Sequence, residues 1–78
     1  MINDNPKEQV ENIFHELFGF DHKLEVRGRR ICPRGLYLTE ICVDGDVIAS
    51  TSHQDWRKSY GLLKVAVEKL YVDGLALV

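Results

Sequence analysis

The chain has little of what usually announces an activity. Among its 78 residues there are 2 cysteines, 2 prolines, 1 methionine and 1 tryptophan. No apolar run approaches the ~20 residues that a membrane-spanning helix needs, and Met1 to Gln9 is too polar for a signal peptide. Those absences set the expected compartment as intracellular, cytoplasmic or nuclear. Cys32 and Cys42 have the composition of one disulfide, but with no secretory signal the expectation is reduced thiols, Cys42 as a small sheet or core residue. His15, His22 and His53 show no HxxxH spacing and the cysteines no CxxC, so no metal site and no cofactor are expected. A thiol nucleophile at Cys32 would need a pocket that so small a domain hardly provides, and Asp44 and Asp46 flank a turn glycine. Enzyme activity is therefore not expected, and no small-molecule substrate is evident.

Neither sign of charge dominates, with 10 basic and 12 acidic residues. The net charge is −2 and the pI about 5.8, which argues against strong non-specific binding to nucleic acid. The distribution is nevertheless uneven, since Lys23, Arg27, Arg29, Arg30 and Arg34 crowd one stretch that only Glu25 offsets. Arginine's planar fork suits phosphate, so these residues are candidates for an anionic partner. Arg27 and Arg29 alternate onto one strand face, whereas Arg30 and Arg34 lie toward a turn and need not join them.

What the chain does have is ordinary for one soluble domain: 45% hydrophobic and 28% charged residues. A domain of this size buries only about 60% of the surface its unfolded chain exposes, so its core is thin. Its centre is Leu36 to Ser52. Tyr37, Thr39, Ile41 and Val43 alternate with Leu38, Glu40 and Cys42, a period of two that predicts a strand with one covered face. Asp44-Gly45 then predicts a tight hairpin returning through Val47 to Ser52. Upstream, Lys23 to Ile31 predicts a first strand, with Gly28 as a candidate bulge and Cys32-Pro33-Arg34-Gly35 as a type I turn.

Helices flank this meander. Asn5 is placed to cap a helix opening at Pro6, whose Val10, Ile13, Phe14, Leu17 and Phe18 form one apolar stripe before Gly19. Ser52-His53-Gln54-Asp55 has capping-box character, with Asp55 itself an alternative cap, and a second helix runs to about Tyr71 before Asp73-Gly74. Trp56, Tyr60, Leu63, Val67 and Leu70 share its face. The predicted fold is a two-layer α+β domain of order α-β-β-β-α, a three-stranded antiparallel meander with two helices on one side. Its bounds are a loose terminus over 1–5, a domain over 6–72 and an apolar tail over 73–78.

In order and length this chain resembles the double-stranded-RNA-binding domain family over about residues 5 to 72. Tyr37, Ile41 and Val43 stand where that family's second strand has its inward residues, and Val65, Ala66 and Leu70 match part of its final helix. The resemblance implies a domain that meets duplex RNA by shape, through phosphates and 2′-hydroxyls. It places Arg57 and Lys58 at the start of the second helix beside Arg27, Arg29, Arg30 and Arg34 as RNA contacts. The chain departs from the family where His53 to Ser59 replaces a glycine-rich loop and Ser-Lys-Lys run, and where Pro33-Arg34 is all that stands for Gly-Pro-x-His. Members lacking these motifs often serve as docking or dimerisation modules.

A docking reading follows from the residues as well. The third strand is an edge with no lysine or proline to discourage pairing, so Val47, Ile48 and Ala49 are candidate partner contacts. Trp56 has two readings, a packed core residue and an exposed anchor. The expectation is a protein partner or homodimer, with weak duplex RNA binding at most; the alternative is a genuine duplex RNA-binding domain.

Overall fold

The apolar stripe of residues 10–18 becomes a helix because both its ends are chemically marked. In the computed structural model, which describes residues 5–31 and 35–74, α1 spans Pro6–Phe18. The Asn5 carboxamide accepts the Lys7 amide at 3.0 Å and the Glu8 amide at 3.4 Å, satisfying donors that the first turn leaves over. Gly19, at φ +88°, closes the other end by donating its N–H to the His15 carbonyl. Val10 and Phe14 are fully buried. Burial of a side chain such as Phe14 stabilises by about 1.5–3 kcal/mol relative to leaving it exposed.

The meander follows as β1 (Leu24–Ile31), β2 (Leu36–Val43) and β3 (Asp46–His53), antiparallel and in that spatial order. Asp44 and Gly45 both have positive φ, +53° and +92°, as the tight hairpin between β2 and β3 requires. The turn also ties down the chain entering β1. Asp44 accepts the Lys23 amide at 2.9 Å and donates its own N–H back to the Lys23 carbonyl, while its second oxygen lies 3.0 Å from His22 Nδ1. A carboxylate only accepts, so His22 carries its proton on Nδ1.

The Lys23 amide, and secondarily His22, hold the Asp44 carboxyl below the usual aspartate range. A depressed folded-state pKa gives stability that is present above the unfolded value and is lost as pH falls through the folded one. Asp44→Asn retains one acceptor oxygen and the tolerance for positive φ but cannot titrate. Its melting temperature is expected to lie below that of the parent at pH 7, with the gap closing as pH drops below about 4. A gap that persists unchanged into strong acid would refute this role.

The bulge is not at Gly28. That residue pairs regularly with Thr39, and the register slips instead between Ile41 and Cys42, where Ala49 and Val47 are the partners and Ile48 is the extra residue. The slip lets Ile48 and Ala49 both pack against the core. A second helix, α2 (Trp56–Val72), completes the order predicted from the residues. Asp55 is its cap, accepting the Arg57 amide at 2.9 Å, so the start falls at the later of the two expected positions.

Val10 and Phe14 of α1, Tyr60, Leu63 and Val67 of α2, and Val26, Ile41 and Val43 of the sheet make one core, so both helices cover the same sheet face. The helices run parallel: Phe18 meets Tyr71 at their C-terminal ends, while Pro6 and Gln9 share a cleft with Arg57 and Lys64 at their N-terminal ends. The opposite sheet face carries Glu25, Arg27, Arg29, Leu38, Glu40, Cys42, Val47, Ser50 and Ser52 by strand alternation. No helix among the described residues is long and apolar enough to cross a membrane. The Cys32–Arg34 part of the expected turn, Arg34 itself and the Leu75–Val78 tail lie outside the described residues, as do the first four residues of the expected loose terminus.

Candidate interaction surfaces

The N-terminal end of α2 concentrates most of the unusual chemistry. Tyr37 from β2 and Trp56 and Tyr60 from α2 have ring centroids 5.9–6.5 Å apart in all three pairings. Two guanidiniums flank the cluster, Arg30 at 5.6 Å from the Tyr37 centroid and Arg57 at 4.9 Å from that of Trp56. Arg30 also donates to the Gly35 carbonyl at 2.6 Å and the Gln54 carbonyl at 3.3 Å, so it fastens β1 to both ends of this region. Trp56 is neither wholly core nor wholly surface. It packs against Tyr37 and Tyr60, yet remains 38% exposed.

Beneath the cluster lies a hydroxyl knot. Thr39 on β2 and Ser59 on α2 are fully buried among apolar neighbours, and Thr51 on β3 joins them. Thr39 Oγ1 lies 2.7 Å from Thr51 Oγ1 and 3.0 Å from Ser59 Oγ; Thr51 donates to the Ser59 carbonyl at 2.8 Å, and Ser59 to the Tyr37 carbonyl at 2.9 Å. The three hydroxyls and the Ser59 and Tyr37 carbonyls thereby form one buried network that ties α2 to both strands beneath it. Beside the knot, the Tyr60 and Tyr37 hydroxyls fill the space where a side chain at Gly28 would stand. Burial, and then the hydrogen bond with Tyr37, push the Tyr60 phenol well above its usual range, so it stays neutral.

The arginines do not form one patch. Arg27 and Arg29 project from the open sheet face, where Arg27 Nη2 lies 3.0 Å from Cys42 Sγ and its Nη1 3.8 Å from Glu25. Arg27 also pairs in register with Glu40, so acidic side chains interleave the basic ones. Arg30 projects to the helix side and is occupied by Tyr37 and two carbonyls. Arg57 and Lys58 stand in the first turn of α2, on the helix side of the sheet, where the Asp55 carboxylate caps the same turn. Sequence reasoning missed two lysines that the fold brings close. Lys64, two turns beyond Arg57, lines with it the cleft of ≈ 190 Å³ between the helices. Lys7 lines a groove of ≈ 620 Å³ along the outer side of β1, with Arg27, Gly28 and Arg29. Only the seven-residue spacing of Arg57 and Lys64 was visible in the chain.

The two sheet edges differ. The outer edge of β1 carries Glu25, Arg27, Arg29 and Arg30, a charged border that opposes pairing with a like strand. That of β3 carries only uncharged residues from Val47 to Ser52. Of the docking candidates, Val47 is half exposed on the open face, while Ile48 and Ala49 turn inward and offer the outside chiefly their backbone. Leu62, Val65 and Val72 add an exposed apolar line along the outer side of α2. At the opposite end of the domain Phe20 is 80% exposed and stacks on His15.

Among the described residues no group of histidine, cysteine and acidic side chains is arranged to hold a metal ion, and Cys42 is a buried free thiol. No family model, curated protein or solved structure matches this chain.

Proposed function

We propose that the domain is a non-catalytic binding module that docks another protein chain, its own copy included, through the outer edge of β3 and the adjoining side of α2. The observation that carries this reading is the contrast between the two edges. An open strand exposes unpaired backbone donors and acceptors, and these recruit another strand unless charge, proline or a cover prevents it. β1 carries such charges and β3 has none between Val47 and Ser52. The Leu62 and Val65 side chains alongside supply apolar area to a partner that reaches over the edge.

The α-β-β-β-α order also fits the double-stranded-RNA-binding domain resemblance, which brings duplex RNA as the second reading. Against strong affinity stands the division of Arg27 and Arg29 from Arg30, Arg57 and Lys58, with Glu25, Glu40 and Asp55 among them. Phosphate recognition needs several cations on one track, because each contact contributes separately to counterion release. Weak duplex binding at low salt is what this arrangement supports.

Sedimentation over a concentration series tests the main reading. Association is expected to rise with concentration and to be abolished by the double substitution Val47→Lys and Ser50→Lys, both on the exposed sheet face of the edge strand. A chain that stays monomeric at every concentration and captures no protein partner would sink the proposal. Duplex RNA titrated at low and moderate salt separates the rival. Steep salt dependence with loss of binding on Arg57→Glu and Lys58→Glu would favour RNA over docking.

A further inference from the structure

His53, the half-buried last residue of β3, uses one nitrogen of its ring to hold the backbone that follows it. Its Nδ1 lies 2.9 Å from the backbone amide of Asp55. An amide N–H only donates, so Nδ1 must present a lone pair, and the ring is neutral with its proton on Nε2. The residue whose amide it holds is the cap of α2. Asp55 accepts the Arg57 amide through Oδ1 at 2.9 Å and the Ser59 amide through its carbonyl at 3.0 Å. The intervening Gln54 carbonyl receives Arg30 Nη1.

We infer that His53 is a pH-sensitive latch: the neutral imidazole holds the turn that starts α2, and protonation releases it, loosening the segment that presents Trp56, Arg57 and Lys58. Protonation places a hydrogen on Nδ1, so the bond from the Asp55 amide is lost and two N–H groups face each other. The imidazolium also competes for the Asp55 carboxylate, drawing it from the Arg57 amide. Both consequences weaken the cap, and each acts in the same direction. The charged and titratable groups on the elements that meet at this turn are Arg30 from β1, Tyr37 opposite His53 on β2, Asp55 at the cap, and Arg57 and Lys58 in the first turn of α2. Asp55 is the one acid among them, so it is the natural new partner of the imidazolium.

The other histidines act differently. His22 donates Nδ1–H to Asp44, a bond that protonation of the ring leaves intact. His15 stacks on Phe20 at the far end of the helices. Trp56, the single tryptophan, follows Asp55 directly and therefore reports on the His53 end alone. The latch does not depend on which partner the domain binds.

The test follows Trp56 emission and the Asp55 and Arg57 amide resonances of the full chain between pH 8 and 5. All three are expected to change together, at the same midpoint as the His53 ring resonance. Exchange protection of the Arg57 amide should fall several-fold across that step. His53→Asn supplies a side-chain oxygen that takes the same amide two residues on and does not titrate, so it should abolish the step. His22→Asn should keep it. A step that survives in His53→Asn, or a wild-type His53 ring that titrates while the Asp55 and Arg57 amides stay still, would overturn the inference; the second measurement needs no variant.

Discussion

Gly28→Ala is expected to destabilise the domain by about 1–3 kcal/mol, the usual cost of forcing atoms into a filled interior. Alanine normally suits a strand better than glycine, so propensity alone predicts the opposite sign. The hydroxyls of Tyr60 and Tyr37 decide the matter, because both lie well inside contact distance of a Cβ at this position. They sit at the ends of rigid rings wedged against Trp56 and each other, and Tyr60 is 5% exposed. The rings have little freedom to withdraw. Removing the nearer of the two hydroxyls should relieve part of this: in a Tyr60→Phe background, Gly28→Ala is expected to cost less, with the Tyr37 ring still in contact. Chemical denaturation of the four proteins of this cycle measures the coupling directly. Additive effects would mean that the Tyr60 hydroxyl is not what excludes a side chain at Gly28, and an unchanged stability of Gly28→Ala itself would show that the close approach has no energetic consequence.

Thr39→Val should lower stability by about 1–3 kcal/mol even though it preserves shape and removes a polar atom from the core. Isosteric loss of a lone buried hydroxyl can be neutral; here the hydroxyl has partners that stay behind. With the Thr51 and Ser59 protons given to main-chain carbonyls, the single proton of Thr39 serves one of the Thr51 and Ser59 hydroxyl oxygens, and valine removes that donor from a site without other donors beneath α2. For a domain of this size each kcal/mol moves the melting temperature by roughly 4–8 °C, so thermal unfolding resolves the effect easily. The accompanying change should be local: loosened packing of the Ser59 turn against β2 and β3, visible as faster amide exchange there. Unchanged melting would show that the knot is energetically idle and that apolar packing alone seats the helix.

How much could be read from the chain depended on whether the signal was local. Asn5 with Pro6, Gly19, and Asp44-Gly45 each dictate a cap or turn through their own backbone and side-chain chemistry, and each did so at the expected residue. The period-two pattern of Tyr37 to Val43 marked the covered face correctly. Gly28 misled because a glycine in a strand has two physical explanations, a bulge and a close approach, and only the position of Tyr60 distinguishes them. The true slip at Ile48 leaves no mark in a short run of Val, Ile and Ala, all of which suit either face. Among the candidate contacts, alternation separated Arg27 and Arg29 from Arg30, but nothing local indicated that Arg30 would be claimed by Tyr37 and two carbonyls.

By itself, then, the order of residues determined the succession of helices and strands, their bounds to within a few residues and which sides of them are apolar, since caps, turns and periodicity act locally. Tertiary structure alone decided which polar groups meet: the Thr39, Thr51 and Ser59 hydroxyls come from three elements up to 20 positions apart, and no short-range rule pairs them. It also decided which sheet border is charged and which is bare, because a strand becomes an edge only when the meander stops and leaves one side without a neighbour.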